Sequence, residues 1–225
     1  MTDLARLIDH TLLKPEATRW QIHKLVAEAM EYGFASACVN GVFAADVAKM
    51  LHGSPVRTCV VVGFPLGANA AGAKASEAVR AVEDGADEID VVAHLPHLIN
   101  QDLAAAKAEL FEIVKRSRTA NRDVVVKVIV ESSMLMHDVS DGEAEVTIAG
   151  ACRVVRESGC EFIKTSTGFH SNGGATVEAV RLLKKHAGGL RVKAAGGIRT
   201  REDALAMVEA GADRIGCSSS VAIVR

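Results

Sequence analysis

Two lysines carry the clearest chemical potential in this chain: Lys164 in Phe162-Ile163-Lys164-Thr165-Ser166-Thr167-Gly168, and Lys193 in Val192-Lys193-Ala194-Ala195-Gly196-Gly197. A lysine that ends an apolar run and faces a protein interior sheds its water, which disfavours the charged form. Two ammonium groups held close together cannot both keep their protons comfortably, so one becomes a nucleophilic amine while the other stays charged. Such an amine adds to a carbonyl and, after loss of water, gives an iminium that accepts electrons when a neighbouring carbon–carbon bond breaks or forms. The spacing described below gives Lys164 the covalent role and Lys193 the tuning and proton-relaying one. The plain alternative is a lysine head that reaches water or pairs with a carboxylate.

Carboxylates accompany them. Asp90 in Glu88-Ile89-Asp90-Val91-Val92 is set among apolar residues, where burial is costly unless a cation faces it. Beside a bound carbon it can take and return a proton. Asp9, with Thr11, is a second inward candidate that can hold substrate hydroxyls or tune Lys193. Lys127 is either a third inward amine on the substrate side or the structural partner of Glu131, which shares its strand parity; the structural role is preferred. Asp87 and Glu88, at the amino-terminal end of their strand, are expected to be solvated. Cys38 is expected as a small pocket-lining residue, and Thr167 as a substrate contact.

The elements that must position these groups are announced by a repeated phrase. EYGFASACVN from Glu31, EDGADEIDVV from Glu83, ESGCEFIKTS from Glu157 and EAGADRIGCS from Glu209 each read as a helix end, a glycine and an apolar strand. Their glycines, Gly33, Gly85, Gly159 and Gly211, are 52, 74 and 52 residues apart. One strand–helix unit takes about 25 to 35 residues, so each interval holds two units. The intervening strands are read at Arg57 to Val62, Val124 to Val130 and Leu190 to Ala194, with a weaker first one at Leu7 to Thr11. Eight strands with the phrases on the even ones predict one (β/α)8 TIM barrel over residues 1–225. Five residues beyond each glycine stand Cys38, Asp90, Lys164 and Gly216, at one depth near the strands' carboxyl ends, where such barrels carry their active sites. Capping boxes at Thr18/Gln21 and Thr200/Asp203 open two of the intervening helices.

The glycine-rich ends of the last two strands point to an anion. In this barrel the loops after strands seven and eight commonly hold phosphate, and glycines let backbone N–H groups come close to it. Gly168, Gly196, Gly197, Arg199, Gly216, Ser218 and Ser219 are therefore the expected phosphate contacts. A hydrophobic fraction of 49% with 24% charged residues suits one α/β domain, and aromatics at 4% leave small aliphatics to fill the interior. A net charge of −2 gives no reason to expect a nucleic-acid or membrane partner, and no stretch reads as a signal peptide or spanning segment, so a cytoplasmic protein is expected. Five cysteines without a CxxC pair argue against a disulfide framework or structural zinc. His94 and His97 form an H-x-x-H pair, the starting point for a metal-dependent lyase, but no third ligand has matching spacing.

Taken in order, IDHTLL (8–13), ACVN (37–40), VVGFPLG (61–67), EIDVV (88–92), KVIVE (127–131), FIKTSTGF (162–169), VKAAGGIRT (192–200) and RIGCSS (214–219) closely resemble the deoxyribose-phosphate aldolase family. The resemblance covers nearly the whole chain. It implies a class I aldolase, without metal or cofactor, that reversibly splits 2-deoxy-D-ribose 5-phosphate into D-glyceraldehyde 3-phosphate and acetaldehyde. It places the Schiff-base lysine on Lys164, the auxiliary lysine on Lys193 and the proton-transferring aspartate on Asp90, and it makes a homodimer the expected assembly. The chain departs from the family pattern at AHLPHL (93–98) and at HSNGG (170–174), and its only tyrosine is Tyr32, whereas some relatives end in a tail carrying a tyrosine. A barrel that binds a sugar phosphate without turning it over is the alternative reading.

Overall fold

In the computed structural model, which describes residues 3–225, eight strands are hydrogen-bonded in sequence order and close into a barrel. They are β1 Ile8–Leu12, β2 Ser36–Val39, β3 Arg57–Val62, β4 Glu88–Val92, β5 Val125–Ile129, β6 Phe162–Lys164, β7 Arg191–Ala195 and β8 Arg214–Cys217, every neighbouring pair parallel. The helices are α1 Arg19–Tyr32, α2 Ala44–Leu51, α3 Ala71–Glu83, α4 Leu95–Ile99, α5 Leu103–Ala120, α6 Ser132–Leu135, α7 Asp141–Glu157, α8 Val177–His186, α9 Arg201–Glu209 and α10 Ser220–Val224. The predicted (β/α)8 barrel is the observed fold. Strand ends differ from expectation by a residue or so. The short helices α4 and α6, which no capping box marks in the sequence, sit in the loops after β4 and β5, and the equally unmarked α2 is the short helix that joins β2 to β3.

The repeated phrase works as expected. Gly33, Gly85, Gly159 and Gly211 have φ of 65°, 100°, 83° and 111°, the left-handed region that turns a helix end into the following strand and that side chains resist. The capping boxes at Thr18 and Thr200 are both formed, and Ser140 with Glu143 adds a third at the start of α7.

Strand alternation divides the barrel wall into two chemically distinct faces. Outward residues such as Ile8, Val60, Val62, Ile89, Val91, Val126, Val128, Ile163, Val192 and Ile215 are buried in one aliphatic layer against the helices. The inward set is different. Asp9, Glu88, Asp90, Lys127, Lys164 and Lys193 are all buried inside the ring, with a small apolar cluster of Leu13, Cys38, Cys59 and Val61 beside them. The expectation that small aliphatics fill the interior is thus corrected: they fill the space between sheet and helices, and the barrel itself encloses charge.

A second buried charge ties the upper loops to the helices. Lys74 on α3 is fully buried and donates from Nζ to the carbonyl oxygens of Gly67 (2.9 Å) and Val92 (3.0 Å), and it pairs with Glu109 on α5. The other Glu109 oxygen accepts the backbone N–H of His94 at 3.1 Å. The loops after β3 and β4 are therefore held by one ion pair. Removing one partner of such a pair leaves an uncompensated buried charge, which costs about 3 to 5 kcal/mol. Glu109→Ala is expected to lower the thermal midpoint by roughly 6 °C or more, using about 2 to 4 °C per kcal/mol at this chain length; an unchanged melting curve would show that the pair contributes nothing net.

Candidate active site

Strands β4, β5, β6 and β7 bring four charged residues to one point, Lys164 from the end of its strand and Asp90, Lys127 and Lys193 from the middle of theirs. Register pairs Asp90 with Lys127 and Lys164 with Lys193, so side chains of matching parity enter the barrel together. Asp90 sits at the centre. Its Oδ2 accepts from Lys164 Nζ and Lys193 Nζ, both at 2.7 Å, and its Oδ1 accepts from Lys127 Nζ at 2.9 Å and the Cys59 thiol at 3.3 Å. Lys193 also contacts Asp9, whose other oxygen takes the Ser36 hydroxyl (2.7 Å) and Arg214 Nη1 (2.6 Å). Lys127 reaches Glu88 at 2.5 Å, and Arg214 Nη2 lies 3.6 Å from the same carboxylate. Four cations, Lys127, Lys164, Lys193 and Arg214, thus face three carboxylates, Asp9, Glu88 and Asp90.

Burial alone would push the Asp90 carboxyl up, but Lys127, Lys164 and Lys193 outweigh it and hold the group well below the ordinary carboxylate range. Asp9 is lowered in the same way: burial opposes, while Lys193, Lys127 and Arg214 prevail. For Lys193 burial opposes the ammonium form, yet Asp9 and Asp90 raise its pKa above the usual lysine value. Lys127 behaves alike, raised by Asp90 and by Glu88 against burial. Pairing with two carboxylates thus favours the ammonium form of Lys193. The two amines differ in contact and in access: Lys193 spans two carboxylates, whereas Lys164 has one oxygen, shared with Lys193, and lines the cavity above.

That cavity, about 280 Å³, opens at the barrel mouth. Lys164 forms part of its floor. Thr11, Thr167 and Gly168 line one part of its wall, and Gly196, Gly197, Arg199, Gly216 and Ser218 another. Gly196 and Gly197 have φ of 90° and 80°. A Cβ on Gly174 would lie 2.2 Å from the Gly196 carbonyl oxygen, so the HSNGG loop rests directly on the turn after β7. A Cβ on Gly216 would meet Lys193 Cε and Ala195 Cβ, each at 3.0 Å; glycine there leaves room for the lysine stem. A larger cavity, about 710 Å³, lies among His137, Asp141, Thr176 and Arg181, away from the lysine cluster.

Several sequence expectations are revised. Lys127 does not meet Glu131. Glu131, in a left-handed conformation at φ 51°, turns instead to accept the Thr167 backbone N–H at 2.8 Å. Glu88 is buried rather than solvated, because it shares Asp90's parity and faces Lys127 and Arg214 inside the barrel. Asp87 points the other way and caps the Thr58 N–H at 2.8 Å. Cys38 lies behind the cavity wall, fully buried, its thiol pKa lowered by a hydrogen bond with Cys59 against the effect of burial. Asp9 and Lys127 are likewise enclosed beneath the cavity and do not line it. Ser219 stands beside the wall, and α10, at five residues, is too short to bring much helix dipole to an anion. Sequence reasoning missed Lys14, Phe169 and Ile198 on the wall and Arg214 in the ion network; Arg214's parity with Gly216 was the available signal. His94 and His97 meet edge to face with ring centroids 4.5 Å apart, and among the described residues neither belongs to a group of three potential metal ligands. The groups that do exist, Cys38–Cys59–Asp90 and Asp9–Cys59–Glu88, draw on carboxylates already paired with lysine or arginine.

The sequence model of the DeoC/LacD family aldolases matches residues 4–223. A deoxyribose-phosphate aldolase of Thermoanaerobacter sp. (strain X514) is 48% identical, covering 99% of this chain and 96% of that protein. One from Caldanaerobacter subterraneus subsp. tengcongensis is 49% identical, covering 100% and 93%. Among solved structures, the tetrameric deoxyribose phosphate aldolase of Aeropyrum pernix superposes with a TM-score of 0.87 at 37% identity, covering 98% of this chain and 89% of that one.

The depressed carboxyls have a measurable sign. A group whose pKa falls on folding contributes stability that is complete above the ordinary carboxylate pKa and is lost only as pH falls through the folded value. Asp9 and Asp90 are therefore expected to keep ionised carboxyl 13C shifts at about pH 3, where ordinary aspartates have largely protonated. A titration midpoint near 4 for either would show that the ion network is not intact.

Proposed function

The chain belongs to the DeoC/LacD family of aldolases, and from that we propose that it is a deoxyribose-phosphate aldolase working through a Schiff base on Lys164. The observation that carries the assignment to Lys164 is its placement: a buried amine that reaches the cavity, 2.7 Å from an aspartate that also grips Lys193. In the cleavage direction the neutral Lys164 amine adds to the aldehyde carbon of open-chain 2-deoxy-D-ribose 5-phosphate, and the resulting carbinolamine takes up one proton and loses water to give an iminium. The bond between the second and third sugar carbons then breaks. Its electrons move to the iminium nitrogen to form an enamine, while the hydroxyl proton on the third carbon is taken up and D-glyceraldehyde 3-phosphate leaves. Protonation of the enamine carbon and addition of water release acetaldehyde and free the lysine.

Asp90 and Lys193 are the proton carriers in this reading, because they form one hydrogen-bonded unit with the nucleophile. Asp9 and Arg214 keep Lys193 in place from below. Thr11 and Thr167 face the sugar. The glycine-rich turns after β7 and β8, with Gly168, Ser218 and Arg199, receive the phosphate: their backbone can approach an anion closely, and Arg199 and Lys14 bring positive charge to the mouth. Ser219 is a further candidate contact. The reading takes residues 1–225 as one aldolase unit. It includes self-association, first of all as a homodimer, and a reducing, cytoplasmic setting, supported by five free, buried cysteines. Among the described residues no helix is long and apolar enough to cross a membrane.

Borohydride added with acetaldehyde is expected to leave a single N-ethyl group on Lys164, visible by peptide mass spectrometry. Lys164→Leu should abolish turnover while inorganic phosphate still binds. Phosphate binding without turnover or trapped adduct in the unmodified protein would instead favour a barrel that only binds its ligand. Modification of Lys193 in place of Lys164 would reverse the two lysine roles.

A further inference from the structure

The outward face of β1 carries an ionisable ring where its neighbours are aliphatic. His10 stands two residues from Ile8 and pairs in register with Ala37 and Cys217. It is buried at 4% exposure, packed at 5.2 Å from the Phe34 ring, and both of its nitrogens are engaged. Nε2 lies 3.0 Å from a Glu28 oxygen on α1, and Nδ1 lies 2.9 Å from the Ser220 hydroxyl, the first residue of α10. Burial of an imidazole in an aliphatic layer is tolerable only with such partners.

Ser220 links the ring to the rim of the cavity. Its Oγ also lies 3.0 Å from the Cys217 carbonyl oxygen, closing the turn that presents Ser218 and Ser219. The hydroxyl has one proton and two lone pairs. When that proton serves the Cys217 carbonyl, Oγ accepts from Nδ1–H; when Nδ1 is bare, the hydroxyl donates to it. The ring–hydroxyl bond therefore survives in either state. At the far end of α10, Arg201 Nη1 donates to the Ile223 carbonyl at 3.2 Å, and Ile223 is fully buried. The short helix is thus fixed at both ends, and His10 is the anchor nearest the Gly216–Ser218 wall.

We propose that His10 is a positioning residue for the substrate's phosphate: through Ser220 it holds the turn after β8 at the height where Gly216 and Ser218 meet the anion. This rests on the phosphate reading given above. It touches neither the lysines nor the carbon atoms that react, so its loss should be felt in phosphate recognition and not in the covalent step.

The test compares Ser220→Ala and His10→Gln with the unmodified protein on 2-deoxy-D-ribose 5-phosphate and on 2-deoxy-D-ribose, with thermal midpoints taken alongside. Ser220→Ala, a loss of one hydroxyl, is expected to raise KM for the phosphate ester about tenfold, the effect of leaving a buried partner unpaired. kcat for the ester, KM for the unphosphorylated sugar and trapping of acetaldehyde on Lys164 should stay unchanged. His10→Gln should shift the same KM in the same direction. Equal effects on both sugars, or an unchanged KM for the ester in folded Ser220→Ala, would overturn the proposal. If the unmodified protein itself does not favour the ester, the phosphate reading fails first, and that outcome is separate from the behaviour of the variants.

Discussion

Asp90 is fully buried, so its two oxygens depend on four donors supplied by β3, β5, β6 and β7. A buried carboxylate is costly unless its partners are complete, and each ammonium that completes it is itself costly without a carboxylate. The barrel resolves this by enclosing a connected set, in which Asp9 and Glu88 satisfy what Asp90 leaves over. In the proposed reaction the covalent work falls to Lys164, the amine with the fewest contacts and the open side. An iminium carries the same charge as the ammonium it replaces, so the proposed reaction leaves the surrounding electrostatics already arranged for its intermediate.

Much of this arrangement is legible in the sequence. The four-fold phrase gave both the strand count and the depth of Asp90, Lys164 and Gly216, because a left-handed glycine at a helix end is a local requirement that sequence states directly. Alternation gave the inward facing of Asp9, Lys164 and Lys193. What escaped was pairing across the barrel. Lys127 and Glu131 share parity in the sequence, yet four residues of extended chain would separate them by about 13 Å, and Glu131 lies beyond the end of β5 in a left-handed conformation, while Glu88 and Asp90 on the adjacent strand lie within direct reach of Lys127. Glu88 was misjudged for the same reason, since the cations that make its burial tolerable come from other strands. Lys14 and Phe169 sit on loops, where neither strand parity nor a helix face constrains direction.

β1 shows how economically a two-residue repeat can be used. Asp9 faces in and restrains Lys193, while its neighbour His10 faces out and restrains the start of α10. One dipeptide thereby connects the floor of the cavity to its rim without any side chain crossing the wall. The aliphatic layer outside the sheet can carry a polar link there because both nitrogens of the ring and the serine hydroxyl find partners.

The contact between Gly174 and Gly196 has a consequence for anyone wishing to reshape this pocket. The loops following β6 and β7 touch backbone to backbone, with no side chain between them to absorb a change. Grafting a longer or bulkier loop at either position would lift its neighbour as well, so the pair constitutes a single cassette that has to be exchanged whole. Redesign for a larger aldehyde therefore has more freedom at wall positions built of side chains, such as Leu12 and Leu13.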